Sequence, residues 1–140
     1  MKYLKDLKLK ELNNVISMAV FGSYGTDFFK DGISDIDILV LLKCRDDVMD
    51  EFDVEEELIP ILKDYFEYDD IHLTFITMKD YDTIFANQYI DSMDKLILDH
   101  YKEIDFRIYI NKYNRENEWL DNKINKDLKL MEENRDGSLL

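Results

Sequence analysis

Two aspartates, Asp35 and Asp37, stand two residues apart in the run "SDIDILVLLK" (34 to 43), whose other members are mostly Ile, Leu and Val. Residues i and i+2 of an extended strand share a face, so the two carboxylates project side by side while Ile36 and Ile38 point the other way. Carboxylates that close repel and raise each other's pKa unless something cationic lies between them. A hard divalent cation such as Mg²⁺ removes the repulsion and keeps positions open for phosphate oxygens. Upstream, "ISMAVF" (16 to 21) is a second apolar run, ended by Gly22 and Ser23, with eleven residues separating that pair from Asp35. A glycine there lets backbone N–H groups and the Ser23 hydroxyl come close to a phosphate. Metal-holding carboxylates facing a phosphate cradle make up the chemistry of nucleotidyl transfer, in which ions orient a triphosphate and stabilise the departing pyrophosphate. Taken singly, D-x-D and Gly-Ser are weak signals, since strand-end aspartates also cap helices and form turns; the weight lies in their combination.

The surrounding pattern supplies elements to hold these residues. Leu4, Leu7, Leu12 and Val15 have near-helical spacing and predict an amphipathic helix over residues 3–15. Strands follow at 16–21 and 34–43, joined by the turn-rich "GSYGTDFFKDGI", with room for one helical turn around Thr26 to Phe29 closed by Gly32. From Asp46 to Asp69, the positions Val54, Leu58, Ile61, Leu62, Tyr65 and Phe66 form one stripe of a helix that Pro60 should kink or restart. "IHLTFIT" (71 to 77) alternates as a third strand. Residues 79–93 read as helix, "KLILD" as a short strand or that helix's end, and 106–133 as a long final helix striped by Tyr109, Tyr113, Leu120, Ile124, Leu128 and Met131. The fold class is therefore α/β (α+β), in one domain over 1–135, with 136–140 as a frayed end.

With 32 acidic and 18 basic residues the net charge is −14, which repels a phosphate backbone and argues against free nucleic acid as a partner. Cys44 is the one cysteine, so no internal disulfide can form, and the opening residues carry no long apolar leader. No stretch approaches a membrane span, and a reducing cytoplasm is the expected compartment.

"FGSYG" followed by "SDIDILV" resembles the minimal nucleotidyltransferase family of the DNA polymerase β superfamily, which has a small-residue pair after its first strand and D-x-D on its second. The likeness extends over residues 10–113 and is strongest over 20–40; "DKLILDHYKEIDFRIYINKY" is similar to the C-terminal part of antitoxin-like members. It implies a small core with a mixed sheet of three to four strands packed with helices. It also implies Mg²⁺-dependent transfer of a nucleotide, most often AMP from ATP, to a hydroxyl. Asp35 and Asp37 would hold the metal, with Gly22, Ser23, Lys30 and Ser34 around the nucleotide. In prokaryotic members a helical HEPN-family toxin is the partner, silenced by adenylylation of a tyrosine.

Two positions depart from the family pattern. The family's basic residue soon after Gly-Ser is replaced here by "YGTDFF", and Lys30 is the first cation, which would weaken triphosphate binding. The family's third carboxylate, on strand three, falls on His72, with Asp70 two residues earlier on the same face if the strand begins there. Either could serve as general base, the imidazole because its pKa lies near working pH. Otherwise His72 is a partly buried strand residue and Asp70 a turn residue. Three readings follow: an adenylyltransferase acting on a toxin partner, a degenerate module that neutralises the partner by binding, and a free-standing enzyme for a small molecule. The last would ask for an added domain or a homo-oligomer.

Overall fold

The computed structural model describes residues 1–138, with side chains through Glu132. Seven regular elements follow a short 3₁₀ turn at Leu4–Asp6: β1 (Val15–Phe21), β2 (Ile36–Leu42), α1 (Val48–Phe66), β3 (Ile71–Thr77), α2 (Ile84–Asp91), β4 (Lys95–Ile97) and α3 (His100–Ser138). They form an α+β fold around one mixed four-stranded sheet in the order β3-β2-β1-β4. β1 is antiparallel to β2 and β4, whereas β2 and β3 run parallel. A parallel pair needs a crossover, and α1 supplies it.

The central strands are apolar on both sides because helices cover both faces. On one face Met18, Val20, Ile36, Ile38 and Val40 pack with Val54, Leu58 and Leu62 of α1. On the other, Ile16, Ala19, Leu39, Leu41 and Ile76 meet Ala86 and Tyr89 of α2 and Phe106 and Ile110 of α3. A buried polar chain pins this second layer to the sheet: Ser17 Oγ lies 2.7 Å from the Tyr89 hydroxyl, which donates to Glu103 Oε1, and Arg107 donates to the same carboxylate. Burial pushes the Tyr89 phenol well above its ordinary pKa, so it stays a neutral donor.

Several boundaries differ from expectation. Beyond the 3₁₀ turn at Leu4–Asp6, the residues before β1 form no helix. Leu4 and Leu12 are buried as expected, but in a strap that opens with the 3₁₀ turn, whose Leu4 and Lys5 amides donate to Oδ2 and Oδ1 of Asp94, at 2.7 and 2.8 Å. Both are first-turn amides, which a helix would also leave without an intrahelical partner, so Asp94 caps the short turn. β2 begins at Ile36, so Asp35 stands just before the strand rather than within it. α1 runs through Pro60 without restarting, held by buried Leu58 and Leu62 on either side. The helix expected over 79–93 is a 3₁₀ turn at Met78–Asp80 and then α2, because the Asp80 carboxylate caps the Thr77 amide and Thr83 Oγ1 donates to the Asp80 carbonyl. "KLILD" yields the strand β4. α3 starts six residues before the expected 106, where Asp99 Oδ1 accepts from the Lys102 amide. Its backbone continues through Ser138; residues 139–140, at the tip of the stretch expected to fray, lie outside the described residues. Among the described residues no helix is long and apolar enough to cross a membrane.

Candidate active site

β1 ends at Phe21, which pairs with Asp37, and the chain then turns through Gly22 at φ +74°. That left-handed backbone favours glycine. Space gives a second reason, because a Cβ at position 22 would stand 2.7 Å from Oδ2 of Asp37. The bare Cα is therefore needed to admit a carboxylate, a role additional to the approach of phosphate that the sequence suggests.

Asp35 and Asp37 share a face, and Ile36 and Ile38 are buried in the α1-side core, as the alternation predicts. The parallel register sets Asp37 opposite His72, and the Ile36 amide donates to the Asp70 carbonyl, extending the pairing one residue ahead of β3. Asp70 thus lies on the His72 face: His72 Nε2 is 3.1 Å from Asp70 Oδ1 and 3.5 Å from Asp35 Oδ2. One ligand atom from each of Asp35, Asp37 and His72 lies within 4.8 Å of the others. Three separate segments converge here, namely the end of β1, the entry to β2 and the entry to β3.

Crowding shows in the electrostatics. A hydrogen bond with the Asp70 carboxyl, joined by partial desolvation and Asp70's charge, holds the Asp35 carboxyl above the usual carboxylate range. Desolvation raises Asp37, with the His72 imidazole pulling the other way and Asp70 adding to the rise. Raised carboxylates with a shared face suit a divalent cation, which stabilises the ionised forms that the apo cluster disfavours. The oxygen donors of Asp35 and Asp37 match Mg²⁺; the imidazole is a softer donor and a weaker fit for that ion.

Of the other expected residues, Ser23 adjoins the cluster through Gly22, and its carbonyl accepts from the amide and hydroxyl of Thr26, curling the loop without a helical turn. Ser34 Oγ accepts from the Lys30 amide, and the Ser34 carbonyl accepts from the Tyr68 hydroxyl. Ser34 therefore braces the loop that delivers Asp35. The Lys30 side chain is exposed. Gly32 has φ +77° and its amide donates to Tyr68, so it belongs to the same brace. Phe29 is packed edge-on against Tyr24 and anchors the loop, while Phe28 is exposed.

Sequence reasoning missed the far side of Gly22. There a cavity of about 430 Å³ lies between the Gly22–Thr26 loop, the strap and the end of α2, with Gln88 and Asp91 in its wall. Strap, loop and α2 are separated by dozens of residues and share no motif, so no local spacing signals their meeting.

One family model, described as a nucleotidyltransferase domain, matches residues 1–135. No curated protein and no solved structure matches the chain at the level required of a relative.

Proposed function

Since the chain belongs to the nucleotidyltransferase domain family along nearly its whole length, we propose that it transfers AMP from ATP to a hydroxyl, with Asp35 and Asp37 as the metal-holding pair. The observation that supports this most is the convergence of Asp35, Asp37 and His72 beside a glycine that leaves room for a carboxylate. Mg²⁺, when bound, would polarise the transferred phosphoryl group and stabilise the leaving oxygen. The chain's own groups do the rest. Asp35 and Asp37 would hold the ion, and the Gly22–Ser23 turn offers backbone amides and a hydroxyl to the triphosphate oxygens.

His72 takes the proton from the attacking hydroxyl. If Nε2–H donates to Asp70, 3.1 Å away, Nδ1 carries the lone pair. Asp70 would then act as the positioning residue, as an acid orients a histidine base in other transferases and hydrolases. The acceptor in this reading is a tyrosine hydroxyl of a helical HEPN-family toxin, which would make the protein an antitoxin. Exposed Trp119, Leu120 and Ile124 on α3 give such a partner an apolar surface.

The test is intact-mass measurement of a co-expressed helical partner with ATP and Mg²⁺. The expected result is a mass increment of one AMP, absent with the Asp35→Asn, Asp37→Asn double variant. Neutralisation of the partner by that double variant, with no nucleotide added by either form, would instead establish the protein as a binding module.

A further inference from the structure

α3 extends past the rest of the fold. Its last ties to other elements among the described residues are Asn114, whose Nδ2 donates to Asn87 Oδ1 at 2.9 Å, and Tyr113, whose ring meets Tyr81 edge to face. From Arg115 through Glu132 the helix runs on for about 27 Å, with no hydrogen bond, ion pair or aromatic contact to another element among the described residues. A bare helix of that length is marginal in water and gains its stability by burying an apolar face. Such a face is present. Tyr109 recurs eleven residues later as Leu120 and again as Met131, and Tyr113 recurs as Ile124, with Leu128 beside them. An eleven-residue period keeps a stripe almost parallel to the axis of a straight helix. Leu120, Ile124 and Leu128 are each about half exposed.

The charges along one border of this stripe are ordered. Lys112, Glu116, Lys123 and Asp127 fall within about 60° of one another around the helix, and their signs alternate, beginning with positive. The outer two and the inner two share one midpoint, between Trp119 and Leu120. A second copy turned antiparallel about that point sets Lys112 against Asp127 and Glu116 against Lys123, and the two-fold axis repeats both pairs. A parallel copy in register would set like charge on like. Within one helix the same residues stand as Lys before Glu and Lys before Asp at i, i+4, the weaker order. None of the four is in an ion pair among the described residues, where the pair inside α3 is Arg107 with Glu103. The antiparallel register also brings Leu128 of the second copy level with Asn111, beside a recess of about 310 Å³ lined by Tyr81, Tyr109 and Tyr113. An apolar side chain thus arrives at an aromatic recess where α3 leaves the body of the protein.

We infer that the chain forms a two-fold dimer in which the projecting parts of α3 pair antiparallel, stripe against stripe. Leu120 and Ile124 then belong to the second copy, and exposed Trp119, beyond the charged border, is left for a helical partner of another kind.

The experiment is sedimentation equilibrium on the full chain. Wild type at about 100 μM should show twice the chain mass of 16.9 kDa and dissociate on dilution. Glu116→Lys puts two lysines together at each of two symmetric sites and should weaken association by about tenfold or more. Lys123→Glu should do the same with two glutamates. The double variant Glu116→Lys, Lys123→Glu should recover wild-type association, because every site meets its opposite again. Leu120→Gln with Ile124→Gln should give a monomer, with less helix by circular dichroism as the freed segment loses its cover. A monomeric wild type at that concentration overturns the inference and leaves the stripe to a helix of another chain. A dimer that survives the paired Gln substitutions, or a double charge swap no better than either single one, overturns it as well. None of these readouts depends on nucleotide, so the transferase reading stands or falls separately.

Discussion

Residue 22 and Asp37 are in contact across the β1–β2 pair so closely that a methyl group on the first would stand 2.7 Å from Oδ2 of the second. Gly22→Ala should therefore lose stability for two reasons, left-handed backbone and collision. Gly32→Ala separates them, because Gly32 has φ +77° with nothing within 4 Å of an added Cβ. The expected cost at Gly32 is about 1–2 kcal/mol from backbone alone, with a larger loss at Gly22 that shrinks in an Asp37→Ala background. Thermal unfolding of the four variants measures it.

Replacing Asp35 and Asp37 together by Asn should abolish Mg²⁺-dependent nucleotide binding while leaving the fold at least as stable at neutral pH. Both carboxyls are raised from 3.8 in the folded protein. The native state therefore holds protons that the unfolded chain has released, and this contribution to stability is present below 3.8 and lost as pH rises through the folded values. A pH series of unfolding curves should show that loss in wild type and not in the double variant. Millimolar Mg²⁺ should restore it in wild type only.

The base assignment turns on β3. His72→Ala should lower the transfer rate by about 100-fold, the scale of a lost general base. Asp70→Asn should lower the rate less and change the shape of the pH profile, as befits a group that orients another. A large loss in Asp70→Asn with little in His72→Ala would move the base to Asp70.

Ser23→Ala should weaken triphosphate binding by about 1–3 kcal/mol if its hydroxyl meets a charged oxygen in a desolvated setting. Titration with a non-hydrolysable ATP analogue checks it, and unchanged affinity would remove Ser23 from the cradle while leaving the carboxylate geometry as described.

Much of this architecture is legible in the residues themselves. Val15–Phe21 and Ile36–Leu42 announce strands through unbroken apolar runs, and the i, i+2 rule puts Asp35 with Asp37 and Asp70 with His72 before any fold is known. The strap is not legible, because Leu4, Leu7 and Leu12 have the spacing of a helix and the carboxylate that caps their first turn lies ninety residues away. Only tertiary contact decides between those outcomes. The same holds for the Gly22–Asp37 contact, which depends on a strand register.

The parallel pairing of Asp37 with His72 also sets when the cluster can exist. A hairpin cannot close such a pair; residues 43–70 must first swing α1 across the sheet, and the entropy of closing that loop is spent before the pairing repays it. A nascent chain that has emerged only through α1 already carries Asp35 and Asp37 but lacks Asp70 and His72 beside them. Assembly of the four groups is thus a late kinetic event, and a stopped-flow cation-binding signal should lag the helical one during refolding.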